Sequence, residues 1–123
     1  MSSLNDMLGM GHIVHGKVTG VLATDAALTS NDGSATLARS TDTNGLYTIT
    51  FGQAFNAVPT VNVTIVDATF STDAANGAVI LAAATNSVQI QCWEAVTNGA
   101  GTDILNVATD LSFHFTAFGD RNN

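Results

Sequence analysis

Positive charge is scarce in this sequence. Three lysines and arginines stand against ten aspartates and glutamates, for a formal net charge of −7. Lys17, Arg39 and Arg121 are too few and too scattered to neutralise a run of phosphates, so nucleic acid is not an expected partner. The same acidity disfavours an anionic membrane surface. No apolar stretch reaches the about 20 residues that a membrane-spanning helix needs. There is one cysteine, Cys92, which excludes an internal disulfide. The opening Met-Ser-Ser-Leu-Asn-Asp has neither the basic start nor the apolar run of a secretory leader. Together these features lead us to expect a chain made and assembled in a cytoplasm. Charge of either sign is low: 11% of residues, where globular domains carry about 25%. The surface must therefore be covered by Thr, Ser, Asn and Gln, or be hidden against other subunits.

What is present reads as β structure. The 123 residues suffice for one domain. Residues 1–11 hold all three methionines and no period-2 pattern, and are expected to form an N-terminal arm that is flexible alone or ordered against a neighbouring subunit. From His12 to Asn123 a single domain is expected. In the stretch 13–22, Val14, Val18 and Leu22 share one face, and His15, Lys17 and Thr19 the other. Tyr47, Ile49 and Phe51 alternate with threonines, as do Val61, Val63 and Ile65 with polar residues. Val88, Ile90 and Cys92 alternate with Gln89, Gln91 and Trp93. The last strand buries Leu111, Phe113 and Phe115 and exposes Ser112, His114 and Thr116. Residues 78–83 form an apolar run too short to indicate a helix, and weaker strands are expected near 34–39 and 103–108. Turn dipeptides Asp32-Gly33, Asn44-Gly45, Asn76-Gly77 and Asn98-Gly99 punctuate the chain. Pro59 stands at the start of a strand, where its missing N–H costs little. The expected fold is all-β: an antiparallel β-sandwich or jelly roll of about eight strands.

Constellations that carry catalysis are not evident. His12 and His15 form an HxxH pair, but in a strand positions i and i+3 lie on opposite faces, so the rings diverge and no metal is expected. His114 lies two residues from Ser112 on one strand face, without the Gly-x-Ser-x-Gly elbow that would make the serine a nucleophile. Most acids stand in loops (Asp25, Asp32, Asp42, Asp73, Asp103), where they serve turns and solubility. The glycines are scattered and form no phosphate-binding loop. Cys92 alternates with core residues and is read as one of them. Neither catalytic residues nor a cofactor are expected. Trp93 points away from the core beside Gln89 and Gln91, which suits either a subunit contact or sugar stacking.

Two resemblances follow from these segments. Gly45-Leu46-Tyr47-Thr48-Ile49-Thr50-Phe51, then Ala54-Phe55 and Val58-Pro59-Thr60-Val61, resemble a pattern of small β-rich domains in phage structural proteins and tail fibres. The closing stretch from Phe113 to Arg121 is similar to virion domains that end on a strand. Residues 45–119 are also similar to H-type lectins, trimeric β-sandwiches that bind N-acetylgalactosamine-like sugars at subunit junctions. There Gln89 to Trp93 would match the strand ending in Trp, and Leu111 to Gly119 the last strand. Arg39 precedes the matching segment and Arg121 follows it, so neither stands where that family would use an arginine for sugar.

The first resemblance, with no fibre shaft in the chain, implies a virion component. The expectation is a homotrimeric capsid decoration (cement) protein that bridges neighbouring copies of a major capsid protein. Its expected interface residues are Met7, Leu8 and Met10 in the arm, with Trp93, His114 and Phe118 on the strands. The second resemblance implies glycan binding through Gln89, Gln91, Trp93 and His114, in a free lectin or a receptor-binding fibre domain.

Overall fold

The computed structural model describes residues 11–19, 26–66, 75–97, 100–101 and 103–120. These form nine strands: β1 His12–Thr19, β2 Ala27–Ser30, β3 Thr36–Arg39, β4 Leu46–Thr50, β5 Thr60–Val66, β6 Asn76–Ala83, β7 Ser87–Thr97, β8 Ile104–Ala108 and β9 Ser112–Gly119. All pairings are antiparallel. The first sheet has the order β2-β1-β9-β5, and the second β3-β4-β7-β6 with β8 also paired to β7. The two pack face to face as a β-sandwich.

The count exceeds the expected eight by β2, a four-residue strand whose one large apolar side chain is Leu28. So short a strand carries almost no period-2 signal. It is lengthened instead by a side chain: Asn31 Oδ1 accepts the His15 N–H at 2.7 Å, and Asn31 Nδ2 donates to the Ile13 carbonyl at 3.0 Å. A second difference is Asn76-Gly77, which lies inside β6 and makes no turn. Gly77 stands opposite Trp93, and a Cβ there would come within 2.7 Å of the indole. The aromatic ring covers the glycine, which replaces the packing the glycine lacks. Leu22, the Asn98-Gly99 pair and residues 1–10 of the arm lie outside the described residues.

The core lies where the alternation put it. Val14, Val18, Phe113, Phe115 and Ala117 of the first sheet meet Tyr47, Ile49, Val88, Ile90 and Cys92 of the second, with Phe51 and Phe55 at one end. Leu111 packs partly buried against this cluster. Tyr47 and Phe113 meet edge to face with ring centroids 5.5 Å apart. Fully burying a side chain of this size contributes roughly 1.5–3 kcal/mol.

One edge of β7 is shared end to end by two strands. β6 runs along Val88–Glu94 on one side, so β4, paired to Ser87–Gln91, and β8, paired to Trp93–Thr97, must both lie on the other. Cys92 is the junction: its N–H donates to the Gly45 carbonyl at 2.8 Å, and its carbonyl accepts Thr109 N–H at 3.2 Å. Gly45 has φ +71°, in the left-handed region, and an added Cβ would collide with the Thr109 carbonyl. Gly45→Ala is therefore expected to destabilise the fold by about 1–3 kcal/mol, read as an earlier urea midpoint at unchanged slope. A midpoint unchanged from wild type would mean that the junction relaxes without cost.

Candidate functional site

The polar groups most deeply held in the structure gather around Asp110, in the short link between β8 and β9. Its carboxylate has no solvent exposure. Oδ1 accepts the Arg39 Nε–H at 2.9 Å, the Gly45 N–H at 2.7 Å and the Tyr47 hydroxyl at 2.8 Å, while Oδ2 accepts an Arg39 Nη2–H at 2.6 Å. Arg39 also donates to the Ser40 carbonyl and to Asn44 Oδ1. Burial works against a charged carboxylate, but the hydrogen bonds from Arg39, Tyr47 and Gly45 outweigh it and hold Asp110 below the usual carboxylate range. The Arg39 guanidinium is raised in turn, chiefly by its hydrogen bond to Asp110. Burial, then the hydrogen bond to Asp110, raise the Tyr47 phenol. Every member faces a partner inside the protein, so the cluster ties β3, β4 and the β8–β9 link together and offers no group to a substrate.

The single-residue chemical candidates are dispersed. Cys92 is buried, and burial pushes its thiol up to about 12, which keeps it protonated and unreactive. His12 and His15 stand on opposite sides of β1. The His12 ring lies against Phe55 with centroids 5.0 Å apart, while His15 is exposed.

The structure separates the residues that the two expected sites would need together. Trp93, Gln89 and Gln91 share the outer face of the second sheet, and the Gln91 amide is engaged with the carbonyls of Asn44 at 2.9 Å and Cys92 at 2.8 Å. His114 stands on the outer face of the first sheet between Lys17 and Thr64, and Phe118 between Ile13 and Thr60. The four glycan candidates thus fall on opposite sides of the sandwich and do not form one site within a single chain. The interface candidates Trp93, His114 and Phe118 divide in the same way. Met7, Leu8 and Met10 lie outside the described residues.

Large exposed apolar side chains on the described surface include two groups, with Val66 at the end of β5 outside both. The first comprises Val96 of β7 and Ile104, Leu105 and Val107 of β8, while Val79, Ile80 and Leu81 of β6 lie apart from it, beside Ile90 and Gln91 on the other edge of β7. Its origin is the length of β7. The side of β7 that faces the core at Val88, Ile90 and Cys92 continues to Glu94 and Val96, opposite Val107 and Leu105. These last three apolar residues are 37–49% exposed, so the first sheet no longer covers this end. β8 is exposed along its whole length and carries no charge. The second group is Ile13, Val58 and Phe118, brought together by the pairing of Ile13 and Thr60 with Phe118. Sequence reasoning missed the first group. Its signal was the strand 104–108, which contains no charged residue.

Comparison of the chain with protein-family models, with curated proteins and with solved structures gave no match.

Proposed function

We propose that the chain is a structural subunit of a virus particle: a capsid decoration protein that closes into a homotrimer and bridges neighbouring copies of the major capsid protein. The carrying observation is the exposed apolar end of β7 and β8, where Val96, Leu105 and Val107 lie beyond the reach of the first sheet and β8 carries no charge. Contiguous exposed apolar surface of this kind marks an interaction site. The strand β6, which has no second partner among the described residues, adds a sheet edge with no charge to repel a neighbour.

A cyclic trimer joins its members through two different patches, one from each side of every contact. The Ile13–Val58–Phe118 corner supplies the second patch, which accounts for exposed aromatic and aliphatic residues on the opposite sheet. The action is mechanical. Three copies held in one ring attach to the shell multivalently, so contacts that are weak singly hold together. The N-terminal arm, residues 1–11, is the segment we assign to the shell protein.

Two measurements test this reading. Sedimentation of the purified protein is expected to give three times the 12.6 kDa chain mass, and a monomer across the micromolar range would remove the trimer. Peptide counting in purified particles is expected to find this chain in numbers of the same order as the shell protein. A few copies per particle would move it to a tail or fibre, and total absence would end the virion assignment.

A further inference from the structure

We infer that the outer face of the β2-β1-β9-β5 sheet carries a binding site for a carboxylate-bearing saccharide, centred on Lys17 with His15 and His114 beside it. The pairing registers place these residues together. One row across the sheet reads Thr29, Lys17, His114 and Thr64, and the next reads His15, Thr116 and Asn62. Directly opposed side chains in such rows have Cβ atoms about 4.5–5.5 Å apart.

The charge distribution singles out this face. In a chain of net charge −7, Arg39 is neutralised by Asp110, the one ion pair among the described residues. Lys17 has no carboxylate partner there. None of the four strands of this sheet contains an aspartate or glutamate. Asp32, in the turn after β2, is occupied: its two oxygens accept the N–H groups of Ser34 and Gly52 at 3.0 and 2.8 Å. Asp120 follows β9 at the opposite end of the sheet from the Lys17 row. Among the described residues, a cation and two imidazoles thus stand together on a face without a free acid.

Shape agrees with charge. A shallow, open depression of about 380 Å³ lies over the outer face of β1 and β2, lined by His15, Lys17, Thr29, Asn31 and His114 above the backbone of Gly16. Sites for small ligands span about 300–1,000 Å³. Its rim is fixed in advance by the Asn31 bonds to β1 and by Ser30 Oγ, which donates to the His15 carbonyl at 2.7 Å. A rigid rim lowers the entropy lost when a ligand is ordered.

The chemistry selects the ligand class. A nucleic-acid or polyphosphate backbone would need several cations, and this face has one lysine. A single ammonium matches a single carboxylate, while imidazoles, threonine hydroxyls and the Asn62 amide match the hydroxyls of a sugar ring. The site borders the second patch proposed above, because its His15–Thr116 row is followed on the same face by Ile13 and Phe118.

The test is calorimetric titration of the full chain with an acidic trisaccharide that carries one galacturonic acid unit and two galactose units, its neutral all-galactose counterpart and inorganic sulfate. Sedimentation of the same samples keeps a failure of the trimer distinct from a failure of the site. The acidic trisaccharide is expected to bind, and the neutral one at least about tenfold more weakly. Lys17→Gln and His114→Gln, both on the exposed face, should each weaken the acidic sugar by about tenfold or more while leaving thermal melting unchanged. No heat with the acidic trisaccharide, equal binding of the neutral one, or an unaffected Lys17→Gln variant would overturn the inference. So would sulfate competing at equal concentration, which would reduce the face to a general anion attractor.

Discussion

Asp110→Ala is expected to be the most damaging single substitution in this protein, lowering stability by about 3–5 kcal/mol. The carboxylate accepts four hydrogen bonds and has no solvent exposure. Removing it strands the Arg39 guanidinium at the sheet surface and leaves the Gly45 N–H and the Tyr47 hydroxyl without their acceptor. Each unsatisfied buried donor costs about 1–3 kcal/mol. A domain of this size has about 5–15 kcal/mol in total, so the variant should unfold at much lower urea. Asp110→Asn retains one carbonyl oxygen and should lose about half as much. A loss below about 1 kcal/mol for Asp110→Ala would show that water replaces the carboxylate and that the cluster is not an anchor.

The same group shapes the acid limb of stability. Its folded-state pKa is depressed, so its contribution is present above the unfolded value of about 3.9 and is lost as pH falls through the folded value. Wild-type stability should therefore fall below about pH 4. In Asp110→Ala this part of the slope should be missing, since no carboxylate remains there to protonate. Tyr47 acts in the opposite sense. Its raised pKa favours the protonated phenol in the fold, so that contribution is present below about pH 10 and lost as pH rises further.

The parts of the molecule legible in the sequence are those that depend on residues two apart. The buried faces of β4, β7 and β9 follow from alternation alone, because each strand has at least two large apolar residues in phase. β2 was hidden because its extension comes from the Asn31 side chain, which has no periodic signature. Gly77 resembled a turn residue because the group that keeps it in a strand, Trp93, lies across the sheet.

The Asp110 cluster was beyond reach for a similar reason, since Arg39 is 71 positions away. Which strand faces are outer could be read, but not which sheet each belongs to. That single unknown is why Trp93 and His114 were grouped when the strand order puts them on opposite sides. The exposed apolar end had a sequence signal in its uncharged strand β8, but exposure depends on where the first sheet stops.

The second large effect is expected from Leu105→Lys combined with Val107→Lys. Both residues lie on the side of β8 that continues the core face beyond the reach of the first sheet, and they are 49% and 43% exposed. In a subunit contact that end becomes an interface centre, where charged residues are depleted and truncations of anchors cost 2 kcal/mol or more, as a rough guide. Two lysines there should weaken the contact by about 4 kcal/mol, or about a thousandfold, and turn a micromolar trimer into a monomer by sedimentation. The isolated fold should be unaffected within about 0.5 kcal/mol, because both side chains already meet water and the lysine at position 107 stands opposite Glu94. Phe118→Asp, on the other proposed patch, should dissociate the ring equally, because a contact between unlike patches fails from either side. If the β8 double variant dissociates and Phe118→Asp does not, the contact joins like patches and the assembly is a two-fold dimer. If neither changes the sedimentation of an oligomeric wild type, the apolar end is not the subunit contact, and the proposed route from this sandwich to a shell-bound ring fails with it.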